Sequence, residues 1–297
     1  MFNVMLGSSL VHFYPPKHHA RALRILDDIL SDDDANVPSL MGRAYILQAS
    51  KDWVAASGLF LRVNELLPDD VDEGLRAREE HAWCIFQQGN GCVAANELKA
   101  VSEVLDNLEG REVDQARCWW RMGKCAWQAE GLYSLSPSFP FLHRPAEREQ
   151  AYQCFITALK RSPSFAPAFS DLGVYYLEAA NPPDPNRASK CFQKAFELDA
   201  TQADAARRLA ESFAEESEWD LVEVVARRTI EGEGGNEQAT SKHLPINSWA
   251  WKALGVVELV SIRPVFFSNN LQLFGPEPQK LPRCDPGSSN LPPRGTK

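Results

Sequence analysis

The sequence feature that most restricts the fold of this chain is a pair of apolar helical patterns that recurs along it. The clearest copy has these positions on two successive predicted helices: Phe169, Leu172, Gly173 and Tyr176, then Ala188, Phe192 and Ala195. Spacings of three and four residues place each set on one helix face that must be buried. The glycine lets the two helices approach closely. Because one pair cannot bury its own apolar face, the pattern predicts a stack of such pairs.

Four further copies keep nearly the same register. The next copy downstream begins 37 residues later, and three of those residues are an extension of the turn at 182–184, so the underlying step is 34 residues. The marker positions of the other copies are Met41, Gly42, Tyr45, Trp53, Ala56, Phe60 and Val63; Ala82, Ile85, Gly89, Ala94, Leu98 and Val101; Trp119, Met122, Gly123, Ala151, Phe155 and Ala158; Leu209, Ala210, Phe213, Trp219, Val222, Ala226 and Thr229. The spacings resemble those of the tetratricopeptide repeat (TPR). This resemblance implies an all-α fold, a right-handed superhelical solenoid with a concave groove.

The predicted array covers residues 14–259, with five full repeats and a half-repeat at each end. The half-repeats carry Ala22, Leu26 and Ile29 at the start, and Trp251, Leu254 and Gly255 at the finish. A segment at 131–147, rich in serine, proline and aromatic residues, is predicted to be an irregular insertion within a repeat. The proline-rich segment 260–297 lacks a helical period and is predicted to be an irregular, disordered tail.

Two explanations of that tail stay open at the level of sequence. It is either an ordinary disordered C-terminus or the product of a coding sequence that reads past an exon end, because Val260-Ser261 can be encoded by a hexamer that resembles a splice donor. The second explanation makes the chain a fragment of a longer array.

Composition argues against several classes of function. The net charge is -9 and the isoelectric point is near 5.3, whereas affinity for nucleic acid usually comes from clustered Lys and Arg. We therefore expect no direct binding to nucleic acid. The apolar runs are too short to span a membrane, so we expect no membrane association. The seven cysteines form no C-x-x-C pair and fall mostly in apolar helical patterns, which favours a reduced, cytoplasmic location.

Several residues could suggest chemistry, but each has a simpler interpretation. The Asp32–Asp34 run follows an apolar helix and is interpreted as a solvated turn rather than a metal site. The glycines at 232–235 lack the preceding strand and the G-K-[ST] motif of a phosphate loop, which indicates a linker. The six histidines occur outside zinc-binding motifs. We therefore predict no catalytic, cofactor-binding or metal-binding residue, no cofactor and no enzymatic activity.

Three tryptophans on one predicted helix exceed the needs of core packing. Trp119 occupies the first large packing position and is predicted to be buried. Trp120 and Trp127 are seven residues apart and share a stripe, which could anchor a partner or pack against the 131–147 insertion; we favour the insertion. TPR proteins that bind chaperone C-termini carry an asparagine after the small residue of the repeat. Here that position holds Arg43, Trp83, Lys124, Val174 and Glu211, which argues against a co-chaperone.

The residues between the repeat positions are more specific for one protein family than the repeat positions themselves. The segments GRAYILQASKDWVAASGLF and INSWAWKALGVVEL, together with residues 188–235, resemble the TPR subunits of fungal superkiller (Ski) complexes. The resemblance covers roughly residues 14–259. It implies a cytoplasmic scaffold that holds a DExH-type RNA helicase and WD40 subunits, and that feeds mRNA to the exosome for 3′-to-5′ decay.

Two other interpretations stay open: a stand-alone TPR adaptor that binds peptides, and a regulatory TPR segment fused to an enzyme. The faces that contact partners and the oligomeric state are also undecided by the sequence.

Overall fold

The computed structural model describes residues 2–13, 15–133, 145–232 and 248–271, with side chains described for 2–13, 15–128, 148–231 and 248–260. Within these ranges every regular element is an α-helix, which confirms the all-α prediction. The helices are α1 (Phe2–His12), α2 (His19–Asp32), α3 (Val37–Ala49), α4 (Trp53–Leu66), α5 (Glu73–Gln87), α6 (Gly91–Leu105), α7 (Glu112–Tyr133), α8 (Pro145–Arg161), α9 (Ala166–Glu178), α10 (Pro185–Leu198), α11 (Ala203–Glu215), α12 (Trp219–Gly232) and α13 (Ser248–Leu271).

The helices pack as consecutive pairs, from α1 with α2 to α11 with α12, and each pair also packs on the next. We call the odd-numbered helices first helices and the even-numbered helices second helices. First helices of neighbouring pairs touch one another as well, as α1 does with α3, α5 with α7, and α9 with α11. The result is a TPR solenoid in which a row of first helices forms one continuous face.

In two of the pairs, the first and second helices meet where a glycine lies against an aromatic ring. A Cβ added at Gly173 of α9 would lie 2.6 Å from a ring carbon of Phe192 on α10, and one added at Gly123 of α7 would lie 2.4 Å from a ring carbon of Phe155 on α8. Both rings are almost fully buried. Only a residue without a Cβ allows these helices to approach so closely.

The turns within three pairs use the left-handed backbone region. Gly89 lies between α5 and α6 with φ of 91°, while Lys51 and Ser217 occupy the corresponding turns with φ of 63° each. Asp52 then caps α4, because its side chain accepts a hydrogen bond from the backbone N–H of Ala55. These short turns reverse the chain and set each second helix against its first helix.

The array begins earlier than predicted. The half-repeat predicted to start at residue 14 has a partner, because α1 packs against both α2 and α3. Gly7 of α1 faces Leu26, with 2.8 Å between an added Cβ and Leu26 Cδ2, and His19 Nε2 lies 3.1 Å from the carbonyl oxygen of Val11. Helix α1 packs through Gly7, Leu10 and Val11. Sequence reasoning missed it because it lacks the aromatic marker of the repeat.

Two other predicted bounds also change. The irregular tail was predicted from residue 260, but α13 continues to Leu271, so the prediction is wrong for 260–271. This stretch contains one proline and no glycine, the two residue types that oppose a helix most strongly. The insertion predicted at 131–147 shortens, because α7 runs to Tyr133 and α8 starts at Pro145. Residues 134–144 and 272–297 lie outside the described residues.

Candidate functional site

Polar and aromatic side chains of neighbouring first helices contact one another across α3, α5, α7 and α9. We call this surface the first-helix face. Its central residues are Gln48, Glu79, Glu80, Trp83, Asp114, Arg117, Trp120, Arg121, Lys124 and Asp171. They come from positions one repeat apart, so the solenoid brings together groups that are 32 to 51 residues apart in the chain. The face is therefore a product of the stacking.

The first group on this face holds Glu79 of α5 to Arg117 of α7. Arg117 donates from Nε to Glu79 Oε1 at 2.8 Å and from Nη2 to Oε2 at 2.7 Å, a two-pronged pairing that fixes orientation. Its Nη2 also donates to Asp114 Oδ1 at 2.6 Å. Burial alone would lower the pKa of Arg117, but the bonds to both carboxylates outweigh burial and raise it. The guanidinium therefore stays charged inside the stack.

The second group centres on Glu80. Arg121 Nη2 donates to both carboxylate oxygens of Glu80, at 3.0 and 2.9 Å, and Gln48 of α3 donates to Oε2 at 3.0 Å. Burial by itself raises the pKa of Glu80, but Arg121, the bond from Gln48 and Arg76 together outweigh burial and lower it. Glu80 thus connects three successive first helices as a buried, ionised carboxylate.

The energetic consequence of this network depends on its completeness. Removing water from several charges is costly, and the hydrogen bonds repay that cost only while each charge keeps its partner. Glu79, Glu80 and Arg121 are each at least 94% buried, with relative exposures of 2%, 3% and 6%. Loss of one member would leave a buried charge without its partner. The network therefore holds α5 and α7 in one relative position.

A row of aromatic rings lies beside the charges. Trp83 stacks on Phe86 with 4.9 Å between ring centroids and lies 5.5 Å from Trp120, which in turn meets Phe165 at 5.9 Å. The guanidinium of Arg121 lies 5.1 Å from the centre of the Trp83 ring. Both tryptophans are half-buried. They therefore combine fixed positions with accessible apolar surface.

An acidic residue on α9 completes the face. Asp171 accepts from Trp120 Nε1 at 2.6 Å and from Lys124 Nζ at 2.9 Å. These bonds hold the Trp120 ring in one rotamer and leave Lys124 partly exposed. Tryptophan and arginine are enriched among the residues that dominate protein–protein affinity, and this face carries both. The geometry thus suits the binding of a protein or peptide.

The titratable groups in and near this face give little support for catalysis or metal binding. The thiol of Cys84 lies near Glu80, and burial, with a smaller contribution from that carboxylate, raises its pKa to about 12. Burial likewise raises the pKa of Cys125 to about 12. Thiols with such values are poor nucleophiles at neutral pH. Among the described residues no group of three or more His, Cys, Asp or Glu side chains could hold a metal ion.

The structure separates the three tryptophans of α7. Trp119 was predicted to be buried but is only half-buried, because it packs at the edge of an alanine cluster and its Nε1 reaches Asp106 Oδ1 at 3.5 Å. Trp120 belongs to the first-helix face. Trp127 lies 6.5 Å from Tyr175, near a cavity of about 570 Å³ lined by tyrosines and by the turn at 180–187. The preferred contact with the insertion stays a prediction, because 134–144 lies outside the described residues.

The other residues considered in the sequence also have places in the fold. Asp33 and Asp34 lie in the turn after α2, where Asp34 pairs with Arg62 at 2.7 Å. Gly232 ends α12, and 233–247 lies outside the described residues. His81 lies 2.9 Å from Glu97.

Sequence reasoning missed the paired charges at 79, 80, 117 and 121. The available signal was the spacing: acidic residues within one apolar helix pattern are followed by arginines 38 and 41 residues later, close to one repeat. Among the described residues, no helix is both long enough and apolar enough to cross a membrane.

Comparisons with known proteins show which proteins this array is similar to. No protein-family model matches the chain. It is 31% identical over 261 residues to Superkiller protein 3 of Schizosaccharomyces pombe and 29% identical over 259 residues to Superkiller protein 3 of Saccharomyces cerevisiae. Each match covers 87% of this chain and 17% of the relative. Tetratricopeptide repeat protein 37 of Xenopus laevis is 30% identical over 257 residues, which is 85% of this chain and 14% of that protein. The chain therefore spans about one sixth of the length of these relatives.

Solved structures agree with the fold. A thermophilic TPR protein of Thermus thermophilus matches with a TM-score of 0.53 and 18% identity, covering 73% of this chain and 98% of that one. Human IFIT1 matches with a TM-score of 0.52 and 15% identity, covering 77% of this chain and 49% of that one. At such identities the likeness concerns the fold alone. Sequence and structure together identify the chain as a TPR array that is related to one segment of Superkiller protein 3.

Proposed function

We propose that this array is part of a non-catalytic scaffold of a cytoplasmic Ski complex, which assembles an RNA helicase and WD40 subunits for exosome-mediated 3′-to-5′ mRNA decay. The similarity to Superkiller protein 3 supports the complex. The first-helix face supports the manner of assembly, and it is the observation that carries the proposal. A scaffold must present apolar anchors without losing its own shape, and the ion pairs beneath Trp83 and Trp120 fix the helices that display them.

The acidic charge of the chain agrees with a scaffold that holds the helicase but does not itself bind RNA. The whole chain has a net charge of -9 and would repel a phosphate backbone, so RNA would be handled by the helicase partner. The array contributes surface and geometry.

The test is an affinity purification of the full-length protein from its host, followed by mass spectrometry of the retained proteins. We expect a DExH-type helicase and a WD40 protein to be retained. Retention of neither, together with capture of one unrelated peptide-bearing protein, would support the stand-alone peptide adaptor instead. Unchanged 3′-to-5′ mRNA decay after deletion of the gene would also refute the scaffold.

A matched pair of variants tests whether the first-helix face is the surface used. Lys124→Glu reverses a charge on this face beside Trp120, and Lys194→Glu reverses a charge on the second helix α10. Each lysine pairs with one carboxylate, at 2.9 Å for Lys124 and 3.5 Å for Lys194. We expect only Lys124→Glu to reduce retention of a partner. Equal retention by both variants would exclude this face.

A further inference from the structure

The acidic and basic side chains of the first-helix face lie at different depths. The side chains of Glu79 and Glu80 are 2% and 4% exposed, so both carboxylates lie beneath the surface. The side chains of Arg76 and Lys124, which pair with carboxylates of this face, are 39% and 32% exposed. A molecule that approaches the face therefore meets these cations before it meets the buried carboxylates.

The other two carboxylates of the face, Asp114 and Asp171, are also the less exposed members of their pairs. Asp114 lies 3.2 Å from Nη1 of Arg76, and Asp171 lies 2.9 Å from Nζ of Lys124. Both carboxylate side chains are 20% exposed, which is less than either cation. At the border of the face, the exposed Asp72 is paired with the arginine that precedes α7. The outer layer at the centre of the face is therefore cationic, although the chain as a whole is acidic.

Apolar rings lie on the same helix sides as the two cations. Trp83 follows Arg76 by seven residues on α5, and Trp120 precedes Lys124 by four residues on α7. An ammonium group has three N–H donors, and the hydrogen bond to Asp171 uses one of those on Lys124. Lys124 can therefore donate to a second carboxylate while it keeps the first. The face offers cationic donors next to accessible apolar rings.

We propose that the partner segment that binds the first-helix face is acidic and carries apolar side chains between its carboxylates. The carboxylates pair with Lys124 and Arg76, and the apolar side chains cover Trp83 and Trp120. This inference rests on the proposed function, because it takes the first-helix face as the docking surface. Charge complementarity selects this occupant: a chain with a net charge of -9 repels acidic segments in general, and the cationic layer directs them to this face.

A phosphate backbone is also negatively charged, but it fits this face less well. Affinity for nucleic acid comes from the neutralisation of many phosphates by clustered Lys and Arg. Arg76 and Lys124 supply two exposed cations, and both already share their charge with carboxylates of the chain. The arrangement therefore favours a protein segment with a few carboxylates over RNA.

The experiment is fluorescence anisotropy of labelled peptides titrated with the full 297-residue chain. The probes are the peptides EELEELEE and QQLQQLQQ, acetylated and amidated so that their ends carry no charge. We expect the acidic peptide to bind about tenfold more tightly than the neutral one, and to lose affinity as salt is added. Lys124→Gln should weaken the acidic peptide by about threefold or more, whereas Lys124→Arg and the control Lys194→Gln on α10 should leave its affinity nearly unchanged.

Three results would overturn the proposal. The first is equal affinity for the two peptides, and the second is an acidic peptide whose binding does not change in Lys124→Gln. The third is labelled oligouridine that binds more tightly than the acidic peptide and loses affinity in Lys124→Gln, because the face would then bind RNA.

The failure of this inference and that of the proposed function give different results. If Lys124→Glu reduces retention of the helicase or WD40 protein but the two peptides bind equally, the scaffold stands and the acidic partner segment is wrong. If the acidic peptide binds through Lys124 but the full-length protein retains neither partner, the preference of the face for acidic segments stands and the proposed function is wrong.

Discussion

Gly173 and Gly58 are both glycines inside helices, yet substitution by alanine should affect stability differently. Replacing glycine by alanine inside a helix gains about 1 kcal/mol of helix propensity. At Gly58 of α4 an added Cβ meets no atom within 4 Å, so we expect Gly58→Ala to stabilise the array by about 0.5–1 kcal/mol.

At Gly173 the same Cβ would lie within 2.6–2.8 Å of three ring atoms of Phe192. The ring is 3% exposed and lies in the core formed by α10, α11 and α12, so it has no empty space to enter. Overpacking of this kind costs about 1–3 kcal/mol. After subtraction of the propensity gain, Gly173→Ala should be neutral to about 2 kcal/mol destabilising, and it should be less stable than Gly58→Ala by about 1–3 kcal/mol.

Urea unfolding followed by circular dichroism measures both variants under the same conditions. The double variant Gly173→Ala/Phe192→Leu tests the cause, because a smaller side chain at 192 should remove part of the clash and give a favourable coupling of about 0.5 kcal/mol or more. Equal stabilities of the two alanine variants, or additive effects in the double variant, would refute the proposed contact between glycine and ring as the reason for the close helix approach.

Three further predictions concern the charges and turns. Arg121→Met should destabilise by about 3–5 kcal/mol in urea unfolding, because it strands the buried Glu80 carboxylate, whereas Arg187→Met at an exposed pair should change stability by less than about 1 kcal/mol; similar losses would contradict the burial argument. The lowered pKa of Glu80 predicts stability that is complete above its unfolded value near 4.5 and is lost as pH falls through the lower folded value; urea midpoints between pH 7 and pH 3 should show this loss, and Glu80→Gln should show less of it. Ser217→Gly should raise the melting temperature by relieving a positive φ of 63° at a gain of about 1 kcal/mol, and a lower melting temperature would show that the turn is not strained.

The sequence alone determined the helix pairs. The spacing of Phe169, Gly173 and Phe192 is a local property, because the partners in such a contact lie within one hairpin of about 30 residues. The prediction of an all-α TPR array is confirmed for this reason. The resemblance to the superkiller family rested on residues between these positions, and the comparisons support it.

The sequence could not show which charges are buried. From the sequence alone, Glu79 and Glu80 have the pattern of ordinary surface residues of a helix. Only the packing of α5 on α7 shows that Arg117 and Arg121 of the next repeat cover them. The same limit applies to α1 and to the continuation of α13, since neither carries the full set of marker residues of the repeat. The periodicity of apolar residues predicts which face of a helix packs against the neighbouring helix, because that contact depends on the spacing of residues close together in the sequence. The tertiary structure decides which polar groups of different repeats meet, because burial depends on the whole stack.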